Sequence, residues 1–189
     1  MNQNSNLREI FPDHITKRIE EIIIPDIKKV KLKAKIEGIR RISGWEEAVS
    51  EQNLHEFFIH RDDIDTCGDR KNIISFSKDK SNKLIHLIKE IYPDKIVYTS
   101  GHFYYPPTGY MGWHTNQHLA ADRVYISFAS ESNKAFFRYY ENGRVITDYD
   151  QKGINIRRFS CKSNKPYFWH CVGSDCDRFS FGFRLCDIT

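Results

Sequence analysis

Two histidines far apart in the chain lie in surroundings that suit metal chemistry. His114 sits in Gly112-Trp113-His114-Thr115-Asn116. On a strand, residues two apart share a face, so His114 and Asn116 offer an imidazole nitrogen and an amide oxygen to one ion. His170 follows the aromatic run Tyr167-Phe168-Trp169 and adds a second imidazole. Eight residues on comes Arg178-Phe179-Ser180-Phe181-Gly182-Phe183-Arg184, whose alternation puts Arg178, Ser180, Gly182 and Arg184 on one face and three phenylalanines on the other. Either histidine alone reads as an ordinary core residue. Together with the arginine strand they predict a metal with cations and a hydroxyl beside it.

A facial set of two histidines and one oxygen ligand leaves positions for a bidentate cosubstrate and O2 on one ion, which suits iron(II). Over residues 98–185, about half of the sequence, the chain resembles the iron(II)/2-oxoglutarate-dependent dioxygenases. Their pattern is His-x-Asp/Glu, a distal His, then Arg-x-Ser. His114, His170 and Arg178-Phe179-Ser180 match it, and Asn116 departs from it. The Arg178/Arg184 pair, with five residues between, and Tyr105-Pro106-Pro107, nine residues before His114, resemble the alkylation-repair (AlkB-type) branch.

The resemblance implies a double-stranded β-helix (jelly roll), with iron(II) and 2-oxoglutarate as cofactors and O2 as co-reactant. It implies His114, Asn116 and His170 at the metal. The far carboxylate of 2-oxoglutarate is expected on Arg178, because a guanidinium meets a carboxylate through two parallel charge-assisted hydrogen bonds. Ser180 adds a hydroxyl, and Tyr105 is a phenolic donor by resemblance alone or else a packed tyrosine. Arg184 either reinforces this grip or forms an outer ion pair. Arg123, in Arg-Val-Tyr-Ile-Ser-Phe, faces either the site or the surface. His118 is a rival third ligand on a helical reading, but Gly112-Trp113 before it and the loop-like Leu119-Ala120-Ala121-Asp122 after it favour Asn116.

Asn116 itself has three readings. It ligates iron through its oxygen; it stays outside a two-histidine site completed by water, as in the aspartyl/asparaginyl hydroxylases; or an anion fills the gap, as in the related halogenases. The halogenases carry Gly or Ala there, which clears space that Asn116 would crowd, so halogenation ranks last. The opposing class is a non-catalytic jelly-roll binding module with a degenerate metal site.

The surrounding chain must position these residues. Its 189 residues suit a single domain, with helices and supporting strands over 1–93 and a jelly-roll core over 94–189. The expected class is mainly β with two or three helices. Periodicity predicts a helix over 13–24 stopped by Pro25, and a strand over 27–42 with Lys29, Lys31, Lys33 and Lys35 on one face. A short helix over 44–50, a polar loop over 51–72 and a helix over 83–91 on the outside of the sheet follow. The loop carries His55, His60, Asp62, Asp63 and Asp65 without a regular ligand spacing, and is placed to fold over the site mouth. Eight strands then span 95–104, 113–116, 123–128, 135–140, 144–149, 154–160, 167–172 and 178–185, with helices expected on one side. Glu141-Asn142-Gly143 is a hairpin turn.

Net charge is only +4, so an anionic partner is permitted but not demanded. The substrate class stays open among nucleic acid, a protein side chain and a small molecule. Five cysteines without a CxxC pair predict reduced thiols. The polar opening without an apolar run, and the lack of a membrane span, predict a cytoplasmic protein.

Overall fold

A computed structural model describes residues 7–37, 41–60, 69–76 and 81–188. Its strands, in chain order, are β1 (Arg70–Lys71), β2 (Ile74–Ser75), β3 (Lys95–Tyr105), β4 (Gly109–His114), β5 (Ala121–Ala129), β6 (Ala135–Glu141), β7 (Arg144–Tyr149), β8 (Gly153–Cys161), β9 (His170–Ser174) and β10 (Arg178–Asp187). They form two five-stranded sheets, β2-β3-β10-β5-β8 and β1-β4-β9-β6-β7. The pairs β3–β10, β4–β9, β5–β8 and β6–β7 are all antiparallel and nest inside one another. The chain is therefore one long hairpin, rolled up so that successive pairs fall on alternate walls. That is the expected jelly roll. Asn142 and Gly143, both at positive φ, turn the hairpin between Glu141 and Arg144.

Strand alternation sorts the side chains as expected. The outward Phe179, Phe181 and Phe183 of β10 join Val124, Ile126 and Ile156 under a helical layer. Between the sheets, Phe137, Tyr139, Phe159, Met111 and Val172 form the inner core.

The helices depart most from expectation. One helix, α1, runs from Asp13 to Glu37, through Pro25 and through the segment predicted as a basic strand. Ile15, Ile19, Ile23 and Ile27 repeat every four residues and are all buried, so the apolar stripe crosses the proline without a break. Burial of Ile27 and partial burial of Val30 beyond it offset the proline's missing hydrogen bond and ring clash, which together cost about 3 kcal/mol. With α4 (Ser81–Ile91), whose Leu84, Leu87 and Ile88 are buried, α1 covers the first sheet.

On the opposite side, α2 (Trp45–Ala48) and α3 (Glu51–His60) cover the second sheet, so helices lie on both sides and not on one. Helix α3 replaces the first half of the predicted loop. Leu54, Phe57 and Phe58 share one face there, and Phe57 and Phe58 pack on Trp169 at 5.9 and 5.8 Å between ring centroids. His55 is exposed and faces Glu51 one turn away. Asp62, Asp63, Asp65 and Cys67 lie outside the described residues, as does the side chain of His60. No helix among the described residues is long and apolar enough to cross a membrane.

Candidate metal centre

His114 and His170 face each other across the β4–β9 pair, with ring centroids 4.1 Å apart. Each imidazole is oriented by the backbone two residues before it: His114 Nδ1 lies 2.8 Å from Gly112 O and His170 Nδ1 lies 3.0 Å from Phe168 O. A carbonyl only accepts, so each ring donates through Nδ1, which leaves Nε2 for another partner. Carbonyl partners of this kind fix the tautomer and orientation of metal-ligating imidazoles. Burial, and then the nearby His114, hold the His170 imidazolium well below the usual histidine range, so the ring stays neutral. Phe137 stacks on it and Phe159 and Phe168 pack tilted against it, with ring centroids 5.3–5.4 Å away.

Asn116 reaches this pair by a route that strand alternation does not supply. Strand β4 ends at His114, and Asn116 sits in the left-handed region (φ 57°) as the residue before a short 3₁₀ turn, Gln117–Leu119. Asparagine tolerates that conformation better than most residues. The turn swings its amide to His170, with Nδ2 3.1 Å from Nε2. Rotating the amide exchanges its nitrogen for its oxygen, so the same side chain either donates to His170 or offers a neutral ligand. His118 is exposed on that turn and does not line the cavity beneath it.

His114, His170 and Asn116 open on a cavity of about 320 Å³, near the lower end of the ~300–1,000 Å³ usual for small-molecule sites. Ser180, Arg184, Arg123 and Tyr105 also line it, so of the predicted residues only Arg178 is missing. Arg184 on β10 and Arg123 on β5 are register partners. Arg184 stacks its guanidinium over Tyr98, 5.4 Å from the ring centroid. Arg123 is buried and donates to Leu119 O (2.8 Å) and Cys161 Sγ (3.2 Å). At the β10 bulge, a Cβ on Gly182 would come 2.5 Å from Ser100 Oγ, so glycine lets β3 and β10 close up beside the cavity.

Arg178 does not line the cavity. It is buried at the other end of β10, where Nε donates to Asp150 Oδ2 at 2.8 Å, and Tyr105 lies between it and the cavity with its ring 5.3 Å from the Arg178 Cζ. Asp150, itself fully buried, also accepts from Arg157 Nη1 at 2.5 Å, and Arg157 Nε donates to Asp148 at 2.7 Å. Burial would raise the Asp150 carboxyl, but Arg178 and Arg157 together hold it below the usual carboxylate range. Arg178 thus belongs to a buried ion network that ties β10 to β7 and β8. Sequence alternation gives the face of an arginine but not its height along the strand, and nothing local marks Asp150 as its partner.

Several lining residues were not among the candidates. Tyr125 follows Arg123 by two and was accessible to strand alternation. Ser100 and Arg70 carried no such signal, since Arg70 ends a polar stretch.

No family model matches the chain, and no curated protein matches it. Solved structures do. One is a 2OG-Fe(II) oxygenase family oxidoreductase from Burkholderia pseudomallei, 10% identical over 73% of this chain and 80% of that one, TM-score 0.41. A Pseudomonas putida prolyl-4-hydroxylase is 12% identical over 73% and 86%, TM-score 0.43. A cupin domain from Bordetella pertussis Tohama I is 15% identical over 48% and 92%, TM-score 0.28. The likeness is one of fold.

Among the described residues, no group of three or more His, Cys, Asp or Glu could hold a metal, because the third position beside the histidines is an amide. Asn116→Asp is therefore expected to raise manganese(II) or iron(II) affinity by at least about tenfold, a change comparable to that from altering a ligand's outer partners. Anaerobic calorimetry measures it, and unchanged affinity would remove Asn116 from the metal's surroundings.

Proposed function

We propose that the chain is an iron(II)/2-oxoglutarate-dependent oxygenase whose metal is held by His114 and His170, with Asn116 as its amide ligand or water-bridged neighbour. The observation that carries this reading is one cavity lined both by two backbone-oriented imidazoles and by two arginines that have no carboxylate partner among the described residues. Arg123 is buried, and a buried guanidinium without a counter-charge is costly, a cost that an anionic ligand removes.

Imidazole nitrogen suits iron(II), and the donor set leaves positions for a bidentate ligand, so the residues fit the group. When bound, the iron supplies the redox chemistry in which O2 converts 2-oxoglutarate to succinate and CO2 and hydroxylates a substrate C–H bond. The chain's residues bind and orient. Arg184 and Arg123 take the far carboxylate of 2-oxoglutarate through charge-assisted hydrogen bonds, and Ser180 adds a hydroxyl from the same strand face. Gly112 O and Phe168 O keep both imidazoles from turning. The phenylalanines around His170 exclude water from that side of the site.

A second reading has support in one contact. The Asn116 amide already satisfies His170 Nε2, as it would in a binding module without metal. Turnover separates the two: with iron(II) and O2, 2-oxoglutarate should yield succinate, even uncoupled from substrate, and a chelator should stop it. Absence of succinate from iron-loaded protein would favour the binding module.

The carboxylate assignment has its own test. Arg184→Ala should weaken 2-oxoglutarate binding by about 2 kcal/mol or more, roughly 30-fold, whereas Arg178→Lys, which keeps a cation beside Asp150, should leave it largely unchanged. The reverse order in a calorimetric titration would return the role to Arg178.

A further inference from the structure

The chain places its arginines in two ways. Arg157 and Arg178 are each matched to an aspartate. Arg123, Arg184 and Arg70 all line the cavity, and among the described residues no Asp or Glu lines it with them. Arg70 comes from the opposite wall to the other two. It lies on β1, in register with Met111 of β4, so it stands on the His114 side of the cavity. Its neighbours in sequence account for each other: Asp69 receives Lys71 Nζ at 2.9 Å and Tyr110 Oη at 2.9 Å. Alternation turns that pair to one face and Arg70 to the other. Arg70 has no ion-pair partner among the described residues and is exposed, so it stands at the mouth. Beside it the wall is apolar, with Met111, Val172 and the half-exposed Leu119.

Charge counting then sets what enters second. A 2-oxoglutarate dianion meets Arg123, Arg184 and a divalent metal whose protein ligands are all neutral, because Asn116 replaces the usual carboxylate. Arg70 is a further cation for which that dianion has no charge left. We infer that the primary substrate is a small organic anion, an oxyanion group on an aliphatic body, whose charged end is recognised by Arg70 at the cavity mouth while Leu119 and Met111 pack its apolar part. The inference rests on the oxygenase reading for the cavity's other occupant. A guanidinium serves a carboxylate and a phosphate ester alike, so the group is an oxyanion of either kind.

The test is calorimetry on the full chain, anaerobic, saturated with manganese(II) and 2-oxoglutarate, using octanoate, octyl phosphate and neutral octanamide as probes. The expected result is binding of at least one anionic probe at least tenfold tighter than octanamide. That preference should fall below threefold in Arg70→Gln and persist in Lys71→Gln, which removes the outward-facing neighbour. Which anion prefers the site separates carboxylate from phosphate. Equal binding of charged and neutral probes, no binding of any probe, or a preference that survives Arg70→Gln would overturn the inference. So would tight, Arg70-dependent binding of a single-stranded DNA 12-mer without binding of either small anion, which would point to nucleic acid. Failure of 2-oxoglutarate itself to bind would sink the oxygenase reading, while an Arg70-dependent anion preference in that same sample would leave this one standing.

Discussion

His170→Gln and His114→Gln should each lower 2-oxoglutarate turnover by more than about 100-fold, since loss of a ligand exceeds the 10- to 100-fold typical for loss of a ligand's outer partner. Glutamine keeps much of the side-chain volume, so the inner packing of Phe137, Phe159 and Phe168 around position 170 is largely retained. Denaturant unfolding should accordingly give midpoints close to wild type. Succinate release under iron(II) and O2, measured beside that unfolding curve, checks both halves of the expectation. Wild-type turnover in either variant would make that histidine a core residue.

Asp150→Ala should be the most damaging change to the fold. It leaves the guanidiniums of Arg157 and Arg178 buried without their shared carboxylate, and breaking a buried pair in this way costs about 3–5 kcal/mol. The same carboxylate sets an acid limit. Its folded-state pKa lies below the ordinary value, so its contribution to stability is present above the unfolded pKa of about 3.9 and is lost as pH falls through the lower, folded one. Urea unfolding of wild type and Asp150→Ala at pH 7 and pH 3 reads this out, with the gap between them narrowing at the lower pH. A gap of under about 1 kcal/mol at pH 7 would mean that the network carries little of the stability.

How much the sequence disclosed depended on the range of the signal. Strand alternation in β10 told the phenylalanine face from the polar face, and the Asn142-Gly143 turn marked the hairpin about which the barrel rolls. Both are local. The helical layer was misread where two local rules competed. Pro25 argued for a stop and lysine alternation for a strand, while the four-residue isoleucine repeat that continues past the proline decided the outcome through packing on β5 and β10. The site followed the same division. His114 and His170 were legible as a pair, and Ser180, Arg184, Tyr105 and Arg123 all line the cavity. The placing of Arg178 outside the cavity was not legible, because it depends on Asp150, which is brought beside Arg178 only by the closing of the barrel. Nor was the left-handed turn that carries Asn116 to His170, since strand geometry would have placed the same residue nearby for a different reason.

The measurement that bears most directly on the central claim is anomalous diffraction from a crystal grown anaerobically with manganese(II) and 2-oxoglutarate. The account predicts a manganese peak bonded to Nε2 of both His114 and His170, with the far carboxylate of 2-oxoglutarate on Arg184 and Arg123. A crystal with no metal between the two histidines, or with that carboxylate carried to Arg178, would contradict it.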